Sequence, residues 1–154
     1  MEKTNVMRLL DASNVSYQAH EYDSAEDRGE FVAKLVGKSC DEVFKTLVTV
    51  SDKNAYFVFV IPVNTTLNLK KAAKSAGVKS VAMLKQKDLL PLTGYVHGGC
   101  SPIGMKKPFP TFINETAILF DTICVSAGKR GMQIEISPES LLEYVGASYA
   151  DLTD

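Results

Sequence analysis

The sequence VFKTLVTVSDKNAYFVFVIPV, residues 43–63, carries the strongest hairpin pattern in the chain. Residues 43–50 and 55–63 are rich in β-branched and aromatic side chains and predict two strands, and Asp52-Lys53-Asn54 between them has the composition of a turn. The second run is apolar almost throughout, which is typical of a strand that is buried on both faces. We therefore expect this hairpin to lie inside a sheet that is covered on both sides.

The sequence before the hairpin predicts two helices and one strand. Thr4 can cap a first helix that ends near Asn14, and residues 15–19 alternate apolar and polar side chains as a strand does. A second helix is predicted over residues 26–36 and should end at Gly37. The side chains that this helix is expected to turn inward are Phe31, Val32, Leu35 and Val36.

Beyond the hairpin, short helices and strands follow one another without a regular alternation. Helices are predicted over residues 69–75, 85–90 and 138–145, and strands over residues 78–83, 111–114, 122–126 and 132–136. Pro91 is expected to end the second of these helices, because proline lacks the N–H group that continues a helix. Residues 94–110 are rich in glycine and proline and predict a long loop, and such loops are often functional. This order of elements indicates an α+β fold rather than a doubly wound one.

The composition indicates a single domain, residues 1–154, with no membrane segment, cofactor or metal. Of its 154 residues, 45% are hydrophobic, which suits one domain with a full core. The three cysteines form no paired motif, and the presence of only two histidines argues against a zinc site. The N-terminus lacks the apolar run of a signal peptide, and no apolar run is long enough to span a bilayer, so we expect a cytoplasmic protein.

The formal net charge of −1 constrains the partners that the protein can have. Proteins that bind long nucleic acids unaided are usually strongly basic. We therefore do not expect DNA as a partner, and because no apolar run can span a bilayer, we do not expect a membrane either. A protein of this charge that acts on tRNA should contact only the acceptor 3′ end, with a second protein supplying the remaining affinity.

Lys45 and Tyr22 are each open to two interpretations. Lys45 stands among apolar neighbours in the first strand of the hairpin, and its spacing alone favours a solvated position at an edge. The functional interpretation is a cation directed into a cleft, where it can hold a phosphate or polarise a carbonyl. Tyr22 is most often explained by packing at a strand end, and it can alternatively contact a terminal nucleotide.

Two glycine-containing turns are candidate anion sites. Residues 98–104, GGCSPIG, can bring backbone N–H groups close to a ligand, because glycine tolerates positive φ. Residues 125–131, VSAGKRG, carry a Lys-Arg pair that can meet phosphates. Both segments are also typical of ordinary turns. Cys100 is interpreted as a small buried group rather than a nucleophile, because no base adjoins it in the sequence.

These four segments, in this order, resemble the YbaK/EbsC family of Cys-tRNA(Pro) deacylases, relatives of the editing domain inserted in bacterial prolyl-tRNA synthetases. The similarity runs from Thr4 to about Leu152 and rests mainly on FKTL at residues 44–47, on residues 93–104 and on residues 125–131. It implies a mixed, partly barrel-like β-sheet flanked by helices, with one cleft. It also implies hydrolytic removal of cysteine from Cys-tRNA(Pro).

The resemblance implies a role for each candidate residue. Lys45 matches the essential lysine, which is expected to engage the 3′-terminal adenosine. The residues expected to stabilise developing charge through their backbone are Gly98, Gly99 and Ser101. Those expected to bind the substrate are Tyr22, Thr46, Pro102, Ser126, Gly128 and Gln133. Lys129 and Arg130 are expected from their charge to contact the phosphates of tRNA. Gln133 departs from some members of the family, which carry aspartate there, and this leaves the choice of amino acid open.

The mechanism implied by the resemblance is assisted by the substrate, whose cysteine thiol attacks its own ester carbonyl and expels the ribose hydroxyl. His20 and His97 lie in different segments and lack the spacing of a catalytic triad. Prolyl-tRNA synthetase is the expected partner. Three alternatives stay open: an Ala-tRNA(Pro) deacylase, a non-catalytic tRNA-binding module, and a hydrolase with Cys100 as its nucleophile.

Overall fold

The computed structural model describes residues 2–23 and 28–154, and its elements form an α+β fold, as predicted. The helices are α1 (Asn5–Ala12), α2 (Gly29–Leu35), α3 (Leu69–Ala76), α4 (Gln86–Thr93) and α5 (Pro138–Val145). The strands are β1 (Gln18–Glu21), β2 (Phe44–Ser51), β3 (Tyr56–Pro62), β4 (Val81–Met83), β5 (Thr111–Asn114), β6 (Ile123–Ser126), β7 (Met132–Ile136) and β8 (Ser148–Ala150). A 3₁₀ helix, Glu115–Leu119, follows β5. None of the described helices combines the length and the apolar character needed to cross a bilayer.

The predicted hairpin is present, and its strands lie inside a five-stranded sheet with the order β4-β2-β3-β5-β8. β2 pairs antiparallel with β3, from Phe44 opposite Pro62 to Val50 opposite Tyr56. β3 is almost wholly buried, as its apolar sequence predicts. β3 also pairs in parallel with β5, and β5 pairs in parallel with β8. The sheet is therefore mixed.

A three-stranded antiparallel sheet, with the order β1-β7-β6, stands beside the start of β2. A parallel bridge between Val43 and Cys124 joins the two sheets, and the amide of Cys124 donates to the carbonyl of Glu42 at 2.8 Å. Backbone hydrogen bonds therefore connect one sheet directly to the other. This junction gives the partly barrel-like arrangement that the resemblance implies.

Strand β2 separates two hydrophobic clusters, because its side chains alternate between the two faces of the sheet. Phe44 and Val48 face the larger cluster, which includes residues of α1, β6, β7 and α5. Leu47 packs against the smaller cluster, which Phe59 forms with residues of α3. Lys45 lies two residues before Leu47, and its side chain therefore starts from the α3 side of the sheet.

Capping residues explain why three helices could be located from the sequence. In each, the side chain of the residue before the helix accepts a hydrogen bond from an amide in the first turn. These residues are Thr4, Asn68 and Ser137. The bounds of α1, α3 and α5 therefore follow from local chemistry.

The predicted inward face of α2 is wrong at two positions. Val32 is buried, but Phe31 and Leu35 expose 41% and 51% of their surface. The guanidinium of Arg28 lies over the ring of Phe31, 4.2 Å from its centroid, so a cation rather than the core covers that ring. The predicted start of the helix at residue 26 lies outside the described residues.

The prediction that Pro91 ends its helix is also wrong, because α4 continues to Thr93. Proline removes only the hydrogen bond that its own backbone N–H group would donate, and the next helical turn forms from other donors. The hydroxyl of Thr93 donates to the carbonyl of Leu89 at 2.8 Å, and the amide of Gly94 donates to the carbonyl of Leu90 at 2.9 Å. Gly94, with a φ of 87°, ends the helix.

Candidate active site

A cavity of about 310 Å³ opens beside the start of β2, between α2, the loop of residues 94–110, which we call the glycine-rich loop, and the ends of β6 and β7. Six of the predicted site residues line it: Tyr22, Lys45, Thr46, Gly98, Ser126 and Gln133. Val32, Phe44 and Leu89 contribute apolar wall. The fold thus brings together side chains from widely separated segments around one small space.

The side chain of Lys45 is half-buried in this cavity. Burial lowers the pKa of its ammonium group, and the carboxylate of Glu30 opposes that shift. Within residues 2–23 and 28–154, this ammonium makes no hydrogen bond or ion pair. A cation that has lost hydration without gaining a partner favours an anionic or strongly polar ligand.

Two buried polar atoms of the cavity residues also have no partner in the described part of the chain: the hydroxyl oxygen of Thr46 and the side-chain carbonyl oxygen of Gln133. Gln133 exposes only 6% of its surface. Leaving such a group unsatisfied costs about 1–3 kcal/mol, so each case in a folded protein requires an explanation. A ligand that donates hydrogen bonds to these oxygens would remove that cost.

The pairing of β6 with β7 places two polar side chains, those of Ser126 and Gln133, on one side of the cavity, which we call the polar wall. Ser126 on β6 stands opposite Gln133 on β7, and both line the cavity. His20 on β1 also stands opposite Gln133 but does not line the cavity. Side chains that stand opposite one another in a sheet emerge from the same face. The Oγ of Ser126 accepts a hydrogen bond from the amide of Gly128 at 3.2 Å, which leaves the hydroxyl proton available to a ligand.

In the glycine-rich loop, the cavity is lined by His97, Gly98 and Cys100. Gly98 has a φ of 86°, in the region that favours glycine. The amides of Gly98 and Cys100 make no hydrogen bond within the described residues, whereas the amide of Gly99 donates to the carbonyl of Val96 at 3.0 Å. Gly98 and Cys100 are therefore the candidate donors to a developing oxyanion, and Gly99 is already engaged.

Four of the residues predicted to stabilise charge or bind the substrate do not line the cavity: Gly99, Ser101, Pro102 and Gly128. Ser101 is fully buried, and its hydroxyl accepts a hydrogen bond from the amide of Ile103 at 3.2 Å. A Cβ on Gly99 would stand 3.0 Å from the Cα of Lys129, so the glycine-rich loop and the turn after β6 touch through their backbones. Through these contacts, Ser101 and Gly99 stabilise the conformation of the loop and do not form the surface of the cavity.

Lys129 and Arg130 are exposed in the turn between β6 and β7. The Nε of Arg130 donates to the carbonyl of His97 at 3.0 Å, which holds this turn against the glycine-rich loop. Neither basic residue lines the cavity. Any contact that they make with tRNA must therefore occur outside it.

Residues 26–144 match the model of the aminoacyl-tRNA editing domain family. The chain belongs to this family. It is 49% identical to EbsC of Enterococcus faecalis, described as a candidate Cys-tRNA(Pro)/Cys-tRNA(Cys) deacylase, over 99% of this chain and 94% of the relative. It is also 26% identical to part of the proline–tRNA ligase of Shouchella clausii, over 78% of this chain and 21% of the ligase. The crystal structure of a candidate trans-editing enzyme for prolyl-tRNA synthetase shares the fold, with a TM-score of 0.87 at 23% identity, over 100% of this chain and 99% of that one.

Cys100 lines the cavity of the editing domain but is poorly suited to act as a nucleophile. It exposes 8% of its surface, and burial raises the pKa of its thiol to about 12. The thiolate is the reactive form of cysteine, and a thiol with this pKa forms very little of it at neutral pH. The structure therefore supports the interpretation of Cys100 as a packing residue.

Other residues that line the cavity of the editing domain were not predicted. Arg28 and Gly29 lie at the start of α2, and Val63 lies just after β3. A Cβ on Gly29 would stand 2.5 Å from the Cβ of Val63, so α2 packs closely on the end of the hairpin. No local pattern reveals this contact, because it joins residues from separate parts of the sequence.

Beside the polar wall, His20, Cys124 and Glu135 place three possible metal-ligating atoms within 4.8 Å of one another. The carboxylate of Glu135 already accepts a hydrogen bond from Thr122 and lies 2.8 Å from the Nε2 of His20 and 3.1 Å from the Nζ of Lys38. The bonds from Thr122, His20 and Lys38 lower its pKa to about 2 against the effect of burial. This cluster is explained as an ion-pair network that ties the editing domain together, and the absence of a metal stays a prediction.

Proposed function

We propose that this editing domain is a trans-acting deacylase that removes cysteine from mischarged Cys-tRNA(Pro). The observation that carries the proposal is the ammonium of Lys45, which is desolvated and has no partner among the described residues, in a cavity beside the unsatisfied oxygens of Thr46 and Gln133. The relative from Enterococcus faecalis, similar over nearly the whole of both chains, supports the choice of cysteine and of tRNA(Pro).

An aminoacyl ester at the 3′ end of tRNA suits this cavity chemically. The ammonium of Lys45 can bond to the phosphate or ribose oxygens of the terminal nucleotide. The α-ammonium of the amino acid supplies N–H donors, which the side-chain oxygen of Gln133 lacks. A volume of about 310 Å³ is at the small end for ligand sites. It therefore admits the amino acid and the nearest part of the nucleotide.

The reaction needs no nucleophile from the protein. The sulfur of the substrate thiol bonds to the ester carbonyl carbon, the bond from that carbon to the ribose oxygen breaks, and the thiol proton ends on the ribose hydroxyl. The resulting cyclic thioester is opened by water to give cysteine. The domain holds the thiol close to the carbonyl. The amides of Gly98 and Cys100 stabilise the negative oxygen that develops.

The proposal includes prolyl-tRNA synthetase as the partner that supplies the charged tRNA, and it places the reaction in the cytoplasm. A net charge of −1 gives the whole molecule little general attraction to RNA. The related stretch in a proline–tRNA ligase supports an editing step that takes place next to this synthetase.

Incubation of the pure protein with Cys-, Ala- and Ser-tRNA(Pro) tests the proposal. We expect Cys-tRNA(Pro) to react at least about 100-fold faster than Ser-tRNA(Pro), a difference of about 2.7 kcal/mol in the barrier, because a hydroxyl is a far weaker nucleophile than a thiol. Equal rates for cysteine and serine would exclude the thiol-assisted route. Fastest reaction of Ala-tRNA(Pro) would establish the alanine-specific alternative, and binding without loss of any amino acid would show a non-catalytic module.

A further inference from the structure

The basic residues of this chain are unevenly distributed along the sequence. Seven lysines and no acidic residue occur from Lys53 to Lys87, and the rest of the chain carries ten basic residues and all eighteen acidic ones. The net charge of −1 therefore conceals one strongly basic segment. Protein surfaces normally intersperse both signs, so a segment of one sign favours a partner of the opposite sign.

Three of these lysines, Lys70, Lys74 and Lys79, line a shallow groove of about 290 Å³ between α3 and β4. We call this surface the lysine groove. All three are exposed, and none makes an ion pair within residues 2–23 and 28–154. Ala73 and Val81 contribute to its apolar floor. Lysine stems can lie on such a floor while their ammonium groups point to a ligand.

The fourth lysine of α3 has a different environment. The Nζ of Lys71 lies 3.0 Å from a carboxylate oxygen of Asp151 and 2.6 Å from the carbonyl oxygen of Thr153. The amide of Asp52 donates to the carbonyl of Ser80, which brings this acidic residue close to the groove, but its carboxylate pairs with no lysine in the described part of the chain. Within the part of the chain that the structure describes, no carboxylate therefore forms an ion pair with the lysine groove.

The lysine groove and Lys45 lie on the same face of the five-stranded sheet. Leu47 lines the cavity and packs against the hydrophobic cluster that also contains Ala73 and Val81. Val81 pairs with Ser51 at the far end of β2, six residues from Lys45. At a rise of about 3.3 Å per residue the separation along the strand is about 20 Å, a distance that an RNA stem lying along β2 can span.

We propose that the lysine groove binds the phosphate backbone of the tRNA acceptor stem while the 3′ end occupies the cavity. The inference rests on the proposed function for its choice of RNA. Ammonium groups attract phosphates without reading bases, and duplex RNA is bound mostly through its shape and backbone. The lysine groove thus supplies affinity, and the cavity selects the amino acid.

The double variant Lys70→Gln/Lys74→Gln tests this inference through the binding of uncharged tRNA. Glutamine has a helix propensity close to that of lysine, so α3 should keep its fold, which circular dichroism checks. Lys106→Gln/Lys107→Gln is the matched control, because it removes the same charge from exposed positions of the glycine-rich loop. Between about 50 and 200 mM salt, we expect the slope of log K against log salt to fall by about 1–2 in the groove variant and to stay unchanged in the control.

Deacylation kinetics separate this inference from the proposed function. In the groove variant the KM for Cys-tRNA(Pro) should rise about 10-fold, equivalent to the loss of one or two phosphate contacts, while kcat is unchanged because the cavity is intact. Equal slopes and equal KM values in the groove variant and the control would overturn the inference even if both proteins deacylate. Binding that depends on the groove lysines in a protein that releases no amino acid would overturn the deacylase proposal alone.

Discussion

Lys45 owes its chemical character to the groups that enclose it. The cavity that its side chain enters is also lined by Gly29 and Val32 of α2, Val63 after the hairpin and Gly98 of the glycine-rich loop. This burial lowers the pKa of the ammonium, and the carboxylate of Glu30 limits the effect. A charge that has already lost part of its hydration binds a polar substrate group at a smaller cost of desolvation.

Lys45→Ala should therefore abolish most of the activity without unfolding the protein. We expect the rate of Cys-tRNA(Pro) deacylation to fall by about 10²–10³-fold, the usual effect of removing one group that stabilises a transition state. The melting temperature should be unchanged or higher, since a half-buried charge without a partner is removed. Single-turnover deacylation and thermal unfolding measure the two effects. Lys107→Ala, at an exposed position away from the cavity, is the control, and a wild-type rate in Lys45→Ala would refute the role of Lys45.

Individual site residues differed in how far the sequence could reveal them. Lys45 stood out through a motif, although its spacing alone favoured a solvated edge. The missing partners of Thr46 and Gln133 could not be predicted, because they depend on which strands and loops surround those side chains. Gly99 was predicted to stabilise developing charge through its backbone. The Gly-Gly pair in the sequence could not show that the amide of Gly99 already donates to the carbonyl of Val96.

At the scale of single elements, β7 contributes one residue to the cavity and another to the ion-pair network beside it. Gln133 and Glu135 are two residues apart and emerge from the same face. The side-chain oxygen of Gln133 is unsatisfied at the cavity, whereas the carboxylate of Glu135 is held by Thr122, His20 and Lys38. The ion-pair network around Glu135 therefore holds β7 in place beside the cavity that Gln133 lines.

Glu135 should make the stability of the protein depend on pH in the acidic range. Its pKa in the folded protein is about 2, below its ordinary value of 4.5. A lowered pKa contributes stability that is fully present above the ordinary value and is lost as the pH falls from about 4.5 towards 2. Glu135→Gln should therefore lower the free energy of unfolding at neutral pH by about 1–3 kcal/mol. The difference from the wild-type protein should narrow on acidification.

Urea unfolding of both proteins at several pH values from about 7 down to 2.5 measures this difference. Glu143→Gln, at an exposed position of α5, is the matched control and should follow the wild-type protein throughout. A difference for Glu135→Gln that stays constant across the pH range would show that the charge of this carboxylate contributes nothing.

Elements with signals in their own sequence were predictable, and elements defined by distant contacts were not. The caps Thr4, Asn68 and Ser137 located their helices. β8 has only three residues and exists as a strand because it pairs with β5, so it was not predicted. The periodicity of α2 could not show that only part of its apolar face meets the core, which leaves Leu35 exposed.

At the scale of the whole molecule, the candidate site lies where the two sheets meet. The hairpin could be predicted, because two strands and their turn are adjacent in the sequence. The bridge from Val43 to Cys124, which brings β6 beside β2 and builds the cavity, is a long-range contact that no local pattern contains. The existence of one cleft was therefore an implication of the family resemblance, and its lining became clear only from the fold.

The division of the molecule into a cavity and a lysine groove predicts which partner selects the tRNA. The cavity is sized for the amino acid and the nearest part of the terminal nucleotide, and the lysine groove would contact phosphates, which carry no sequence information. The isolated protein should therefore act on Cys-tRNA(Pro) and Cys-tRNA(Cys) with kcat/KM values within about 10-fold, a difference of less than about 1.4 kcal/mol.

Addition of prolyl-tRNA synthetase should raise the ratio of these kcat/KM values in favour of tRNA(Pro), because the synthetase recognises the rest of that tRNA and holds it near the cavity. Competition between the two charged tRNAs, with and without the synthetase, measures the ratio. A strong preference for one tRNA by the protein alone would mean that this chain itself reads tRNA bases. Exposed side chains near the mouth of the cavity, such as Lys129, would then be the first to test for that contact.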